Sequence, residues 1–455
     1  MKCLRTFSMY SLAGSVLFAL AFCASAEIQS LESLLNRADT ALTAGNYDAT
    51  IRLLEEANDI KPPDESRRKP LIKVYLALAR ETTYKSDGIT AFRICQIARE
   101  RFSEEPSILT QWGKAALAAG KNEKEVLKAI ASSLFLTGNR SNDPEIAALY
   151  QTLLGVGMTK LGDKDLLGNP APPREARISE AIAKLQEAIK SDPRWFLPHF
   201  FLGQIYVDLN DYRQAIESYE MGLKKNPRYF NHIDYVLLGS LYNDRGDFAK
   251  AKELLIPVLT QFPYLPGVHY ILAQAESGLK NPTEEYYQIC YELFIGGPEG
   301  FSFKQAQQAK MQLLQKYSTD EGKERYPELW FCLEAARHGA NRQWAAAASV
   351  LEQAAVIRTS PHPILHLLLG EALWQAGQLN VALSHLHKVA DLDPHFPPVY
   401  VEIGDIYEQK GDSAQAKLWW EKALKTDLNN WKVQELRKRA TNETSGTVSG
   451  SAGSK

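Results

Sequence analysis

Along most of the chain apolar residues recur at i, i+3, i+4 and i+7, so segment after segment carries one helical stripe to bury. The stripes come in pairs, and the pairs repeat. One unit reads Tyr235-x-x-Leu238-Gly239-x-x-Tyr242, followed by Gly246, Phe248, Ala251, Leu255 and Pro263. The unit before it reads His199-x-x-Leu202-Gly203-x-x-Tyr206, then Asp211-Tyr212, Ala215, Tyr219, Gly222 and Pro227. Further on come His366-x-x-Leu369-Gly370-x-x-Leu373 with Gly377, Ala382, Leu386 and Pro394, and Tyr400-x-x-Ile403-Gly404-x-x-Tyr407 with Gly411, Ala416, Trp420 and Ala423. Gly203 precedes Gly239 by 36 residues, and Gly370 precedes Gly404 by 34.

Each position in this pattern has a physical reading. Gly203, Gly239, Gly370 and Gly404 fall mid-helix, where glycine costs about 1 kcal/mol against alanine. That cost implies a partner helix packed too closely for a side chain, with Ala215, Ala251, Ala382 and Ala416 as the expected small residues facing them. Gly246, Gly377 and Gly411 fall where a first helix must end with positive φ. Pro227, Pro263 and Pro394 end the second helices.

Weaker units extend the array. Ala38, Gly45-Asn46-Tyr47, Leu54 and Pro62 make a first unit, Leu78-Ala79, Ala91 and Cys95 a second, and Trp112-Gly113 with Gly120 begins a third. Leu154-Gly155 marks a first helix whose partner is delayed to Ala181, Leu185 and Ala188. The organisation expected is repeats over 27–162, a Pro-rich insertion and hinge over 163–178, and a central array over 179–295. After these come an irregular break with an extra helix over 296–327, a C-terminal array with a basic capping helix over 328–440, and a disordered Ser/Gly/Thr-rich tail over 441–455.

The aromatic, Leu-Gly, Tyr, Ala, aromatic and Pro positions resemble the tetratricopeptide repeat, a 34-residue helix–turn–helix unit. The resemblance implies an all-α, right-handed superhelical solenoid whose concave groove, lined by the first helix of each repeat, binds a peptide or protein segment. Carried over by offset from each Leu-Gly pair, the groove positions in the middle array are Phe200, Gln204, Val207 and Asp208, then Val236, Ser240, Asn243 and Asp244, then Tyr270 and Gln274. In the C-terminal array they are Leu367, Glu371, Trp374 and Gln375, then Val401, Asp405 and Glu408. These positions mix apolar and acidic side chains and hold no lysine or arginine, which suits a segment with apolar anchors and basic neighbours. Family analogy adds an outer-membrane or polysaccharide-export complex as the setting.

The N-terminus changes the compartment. Lys2 and Arg5 precede a 14-residue apolar run, Met9 to Phe22, and Ala24-Ser25-Ala26 follows as a small-x-small cleavage site. This is the pattern of a secretory signal peptide over residues 1–26, and its apolar run falls short of the ~20 residues of a membrane span. The expectation is a secreted, bacterial periplasmic protein with no membrane span after cleavage. The alternatives are a membrane-tethered assembly factor that keeps its signal, or a lipid-modified Cys23. Cleavage takes the formal charge from −2 to −4 and leaves Cys95, Cys290 and Cys332, too few and too odd in number for a disulfide framework. The balance of 52 basic and 54 acidic residues argues against a general nucleic-acid binder.

Catalytic chemistry is not legible. No phosphate loop, dinucleotide fingerprint, HExxH or nucleophile elbow is present, so no enzyme and no cofactor is expected. The histidines between His362 and His395, which include His366, His385 and His387, are the one cluster that offers a metal-binding or enzymatic alternative. Pro363 starts the helix and leaves His362 outside it, and His199, His269 and His366 share a repeat position normally filled by a packing aromatic. Ordinary packing is therefore the reading preferred, and the function expected is a non-enzymatic interaction scaffold.

Overall fold

A computed structural model describes residues 30–60, 65–103, 105–121, 143–160, 172–298, 300–426 and 430–448. The expected signal peptide 1–26, most of the expected 163–178 insertion and the end of the expected tail lie outside these residues. Every regular element among the described residues is an α-helix. In chain order they are α1 (30–43), α2 (Tyr47–Asn58), α3 (Glu65–Lys85), α4 (Gly88–Arg101), α5 (Pro106–Ala118), α6 (Pro144–Lys160), α7 (Arg174–Ser191), α8 (Leu197–Asp208), α9 (Tyr212–Lys225) and α10 (His232–Arg245). Then follow α11 (Phe248–Gln261), α12 (Val268–Gly278), α13 (Pro282–Ile295), α14 (Phe301–Tyr317), α15 (Asp320–Arg325), α16 (Pro327–Ala340) and α17 (Trp344–Ile357). The last five are α18 (Pro363–Gln375), α19 (Leu379–Leu392), α20 (Pro397–Gln409), α21 (Ser413–Thr426) and α22 (Trp431–Val448). Helices adjacent in sequence pack as antiparallel pairs, and the architecture is the all-α repeat fold that the pattern predicts.

The repeat is clearest in its turns. Gly45, Gly120, Gly246, Gly377 and Gly411 all have φ between 65° and 87°. Each donates its amide to the carbonyl three residues back, and the next amide reaches five back, as Gly246 N–H to Asn243 and Asp247 N–H to Tyr242 do. This is the hydrogen-bond pair that closes a helix end with one left-handed residue. Asn210, Lys280 and Arg342 occupy the same place with φ of 58°, 61° and 57° and make the same pair of bonds. The turn geometry is therefore kept where the glycine is lost.

The mid-helix glycines are filled by a different partner from the one expected. A Cβ on Gly203 would lie 2.8 Å from the Tyr219 ring, on Gly239 3.0 Å from Leu255, on Gly370 2.7 Å from Leu386, and on Gly404 2.4 Å from Trp420. The large residue four positions after each expected alanine enters the glycine notch. Ala215, Ala251, Ala382 and Ala416 are fully buried but serve to bring the two backbones together.

The chain divides into two compact units, residues 1–234 and 235–455. The division falls inside α10, away from the sequence breaks at 163–178 and 296–327. In a repeat array each unit packs chiefly on its neighbours, so a boundary in packing need not coincide with an irregular sequence. The expected loop over 163–178 is corrected at its end: residues 174–178 already belong to α7, which packs on α6 with Leu185 against Gly155. The expected tail is likewise corrected over 441–448, where α22 continues; each further helical residue adds a backbone hydrogen bond once the helix is nucleated.

In the first unit a buried charged cluster fixes the helices beside α8. Lys114 on α5 is fully buried, with Nζ 2.6 Å from Asp192 Oδ2 and 2.9 Å from the Tyr84 hydroxyl. Glu145 at the start of α6 accepts from Arg80, Arg194 and Gln111. Asp192 ends α7, so one network pins α3, α5, α6 and the turn into α8. A buried ammonium is tolerable only with such partners, and removal of one strands the other.

Candidate functional site

The first helix of a repeat has one face against its own partner helix and one toward the preceding repeat, and the remainder is free to meet a ligand. On α8 that remainder runs through Phe201, Gln204 and Asp208, spaced i, i+3 and i+7. These side chains form one side of a cleft of about 270 Å³ in the first unit. Leu197, Ile205 and Val156 supply apolar wall, while Asn231 and Asp234 close the polar end.

Asp234 is the unusual group. It is 1% exposed, and its carboxylate accepts from Gln204 Nε2–H at 2.7 Å and from the Tyr229 hydroxyl at 3.2 Å. Among the described residues no cation forms an ion pair with it. Burial pushes its carboxyl up to about 6, against the downward pull of those two hydrogen bonds. Asp208 stands exposed on the same cleft, one helical turn from Gln204. Lys121 also lines the cleft, its ammonium over the Phe92 ring at 5.3 Å from the centroid, and it forms no ion pair with Asp234. The buried carboxylate, with Asp208 as a second acid at the mouth, can receive a cation carried on an apolar stem.

The expected groove positions divide sharply. Gln204 and Asp208 line the cleft, and Val207 is half-buried beside them. Phe200 is corrected: it is 1% exposed and fills the space over Gly222, its ring among Phe196, Tyr219 and Tyr229, so it floors the cleft rather than presenting a free ring. Tyr229, Asn231 and Asp234 were not among the positions read from the repeat offset, because they lie in the turn and first turn of the next helix.

In the second unit Leu367 and Val401 are corrected to buried core residues, 0% and 3% exposed. Both belong to the cluster that holds α18 and α20 together, and an apolar residue at that offset gains more from the neighbouring repeat than from solvent. Asn243 is also drawn inward, its Nδ2–H donating to the Ile271 carbonyl at 2.8 Å. Val236 and Tyr270 are half-buried, while Asp244, Gln274 and Glu408 are exposed. Trp374 keeps an accessible face and donates its indole N–H to Gln409.

The two acids Glu371 and Asp405 do not face a groove free of positive charge, as the sequence suggested. Lys432 and Arg439 of α22 reach them, at 3.6 Å and 3.1 Å. The offset rule sees only the repeats, and the cations come from the helix that follows them.

The histidines do not converge on one point, and among the described residues only His366 and His385 hydrogen-bond to each other. His362 precedes α18 and stacks on Tyr287 at 4.1 Å, and His387 lies against Trp419. His366 and His385 meet with their Nδ1 atoms 3.1 Å apart, as one donor and one acceptor. Burial lowers the pKa of each of the four, to about 3 for His362 and about 4 for His385. Among the described residues no group of three or more His, Cys, Asp or Glu is arranged to hold a metal ion. Cys95, Cys290 and Cys332 are all buried and unbridged.

Comparison with known proteins follows the repeat pattern. Residues 199–228, 332–397 and 397–430 each match tetratricopeptide-repeat models, so both units carry tetratricopeptide repeats. Among solved structures the chain is similar to yeast Tom70, at 14% identity over 93% of this chain and 97% of that one, with a TM-score of 0.30. It is also similar to the TPR domain of P58(IPK), at 14% identity over 83% and 99% with a TM-score of 0.26. The APC/C hetero-tetramer Cut9-Hcn1 gives 13% identity over 90% and 96% with a TM-score of 0.29. No curated protein matches the chain.

Proposed function

We propose that this chain is an exported, non-enzymatic scaffold of the bacterial cell envelope that holds a segment of a partner protein in the cleft of its first unit. The observation that carries this reading is Asp234, a carboxylate buried without a counter-ion at the end of an apolar-walled cleft. A lysine or arginine side chain fits it. The stem lies along Phe201, Ile205 and Val156, and the cation meets Asp234 with Asp208 at the mouth. Neighbouring apolar residues of the segment anchor on the exposed parts of α8. The leader-like residues 1–26 support export, and no helix among the described residues is long and apolar enough to cross a membrane. An envelope-assembly or export complex is the setting proposed.

The test is selection of random peptides displayed on phage against the purified chain. Recovered sequences are expected to be enriched in lysine or arginine beside an aliphatic or aromatic residue. Asp234→Asn is expected to weaken their binding by about tenfold or more, the scale of one lost charge-assisted contact. Peptides without a basic residue, or equal binding by the variant, would remove the basis for this assignment. N-terminal sequencing of the protein recovered from the envelope should begin at Glu27; an intact Met1 would favour the membrane-tethered form instead.

A further inference from the structure

The second unit holds a pocket that no groove position lines. It lies where the turn between α11 and α12 meets the end of α13 and the start of α22, and its volume is about 360 Å³. Sites for small ligands run from ~300 to ~1,000 Å³. The turn reads Phe262-Pro263-Tyr264-Leu265-Pro266. Its two prolines have fixed φ and carry no N–H, so this wall is stiff and poor in donors. Tyr264 is tied down, its hydroxyl donating to Asp393 and its ring 5.6 Å from that of Phe396. The wall is therefore set before anything binds. Ile295 adds apolar surface, and among the described residues no charged side chain lines the pocket.

Asn430 supplies the polar group of the lining. It is 3% exposed, and the Trp431 indole N–H, donating to the Phe294 carbonyl at 2.9 Å, holds this corner of α22 on the end of α13. Its Oδ1 accepts from the Lys432 N–H at 3.0 Å, which settles the orientation of the amide. The Nδ2 hydrogens are left buried with no partner. A matching acceptor would remove the cost of that unmade bond. The turn's own acceptors are meanwhile engaged. The carbonyls of Phe262 and Leu265 accept from the Leu265 and Val268 N–H groups, and that of Pro263 from His269 Nε2–H at 2.8 Å. Gln261, the other amide of the lining, is exposed to water. The interior thus suits a ligand that brings an acceptor and no donor. An ordinary peptide residue brings an N–H with its carbonyl, whereas a proline brings the carbonyl alone. A run of prolines also leaves its carbonyls unpaired and packs its rings on aromatic faces such as those of Phe262 and Tyr264.

We propose that this pocket is a binding site for a proline-rich segment of a partner protein. One proline ring sits against Phe262 and Tyr264, and a carbonyl of the segment accepts from Asn430 Nδ2–H. The site uses α22 where it stands and needs no helix to move. It concerns the second unit alone and selects a neutral segment, where the cleft of the first unit selects a cation.

The test titrates acetyl-hexaproline amide into the full chain by calorimetry. Saturable binding with a Kd below about 1 mM is expected, and no saturation overturns the proposal. Acetyl-hexaalanine amide, which brings an N–H with every carbonyl, is expected to bind at least about tenfold more weakly; equal binding overturns the choice of proline. Asn430→Asp keeps the acceptor for the Lys432 N–H and replaces the donor, so hexaproline should bind that variant at least about tenfold more weakly. Phe262 is 39% exposed, so Phe262→Ala removes the ring without opening the core, and it should weaken binding at least about fivefold even where the Asn430 variant fails to fold. Wild-type affinity in Phe262→Ala, or in a folded Asn430→Asp, would overturn the proposal. The probe carries no cation, so its failure leaves the peptide selection on the first unit untouched.

Discussion

Replacement of Asp234 by asparagine should weaken partner binding and yet make the first unit more stable. The two effects have one cause. Burial pushes the Asp234 carboxyl from its ordinary 3.8 up to about 6. A difference of that size corresponds to about 3 kcal/mol at ~1.4 kcal/mol per pH unit, and it is the cost of keeping the buried group ionised at neutral pH. Asparagine has the same shape and no charge. Its Oδ1 still accepts from Gln204, but its amide now meets the Tyr229 hydroxyl, which must turn from donor to acceptor, an adjustment that offsets about 1 kcal/mol. The net expectation is a gain of about 1–3 kcal/mol at pH 7.5. The sign with pH follows from the raised folded-state value. The wild-type side chain is least costly below 3.8 and becomes costly as the pH rises through about 6. The advantage of Asp234→Asn should therefore vanish near pH 4 and be full near pH 8. Urea unfolding followed by tryptophan fluorescence, with the buried Trp195 as a reporter in this unit, measures it at the two pH values. A variant less stable than wild type at pH 7.5, or a difference independent of pH, would refute the picture of an uncompensated buried carboxylate.

Other expectations follow from the same geometry. Gly404→Ala should destabilise the second unit by about 1–3 kcal/mol, since overpacking against Trp420 at 2.4 Å outweighs the ~1 kcal/mol of helix propensity gained. In a Trp420→Ala background the same change should turn neutral or stabilising, which a thermal-unfolding double-mutant cycle will show. Arg342→Gly should stabilise the same unit by about 0.5–1 kcal/mol, because arginine there is held at φ 57° and glycine takes that conformation freely; calorimetry showing a lower melting temperature would count against the turn assignment. Burial holds His362 near 3 and His385 near 4, below the ordinary 6.5. Their contribution to stability is complete above 6.5 and is lost as the pH falls from there toward 4. Melting of the second unit should fall over that window, and replacement of both by non-titrating phenylalanine and glutamine should flatten the fall.

The repeat was legible because its signals are local. Glycine at a helix end and a mid-helix Leu-Gly pair each answer a constraint that neighbouring residues impose, so Gly246, Gly377 and Gly411 could be placed in turns from the sequence alone. The partner of a notch glycine was less legible. Alanine and the large residue four positions later lie on the same helix face, and only packing decides which one enters. The candidate site was read least well. A fixed offset marks a position on a helix, but exposure depends on the next repeat, which buries Phe200, Leu367 and Val401 and leaves Gln204 and Asp208 open. Asp234 and Tyr229 belong to the following repeat, and Lys432 and Arg439 to a helix outside the repeats, so no rule confined to one unit finds them. The signal available was the basic character of the expected capping helix, whose Lys432 and Arg439 meet carboxylates on the repeats.

The central claim, that the α8 cleft receives a partner segment through a basic side chain, is tested most directly by photo-crosslinking. A photoreactive residue replaces Phe201 at the cleft wall in the full chain, with Val356, 86% exposed on α17, as the control position. Cross-linked products should form in the cells that make it from position 201 and not from 356. They should disappear when Asp234→Asn is added, and the cross-linked peptide should carry a lysine or arginine within a few residues of the linkage. Equal cross-linking from both positions, or products from 201 that survive Asp234→Asn, would contradict it.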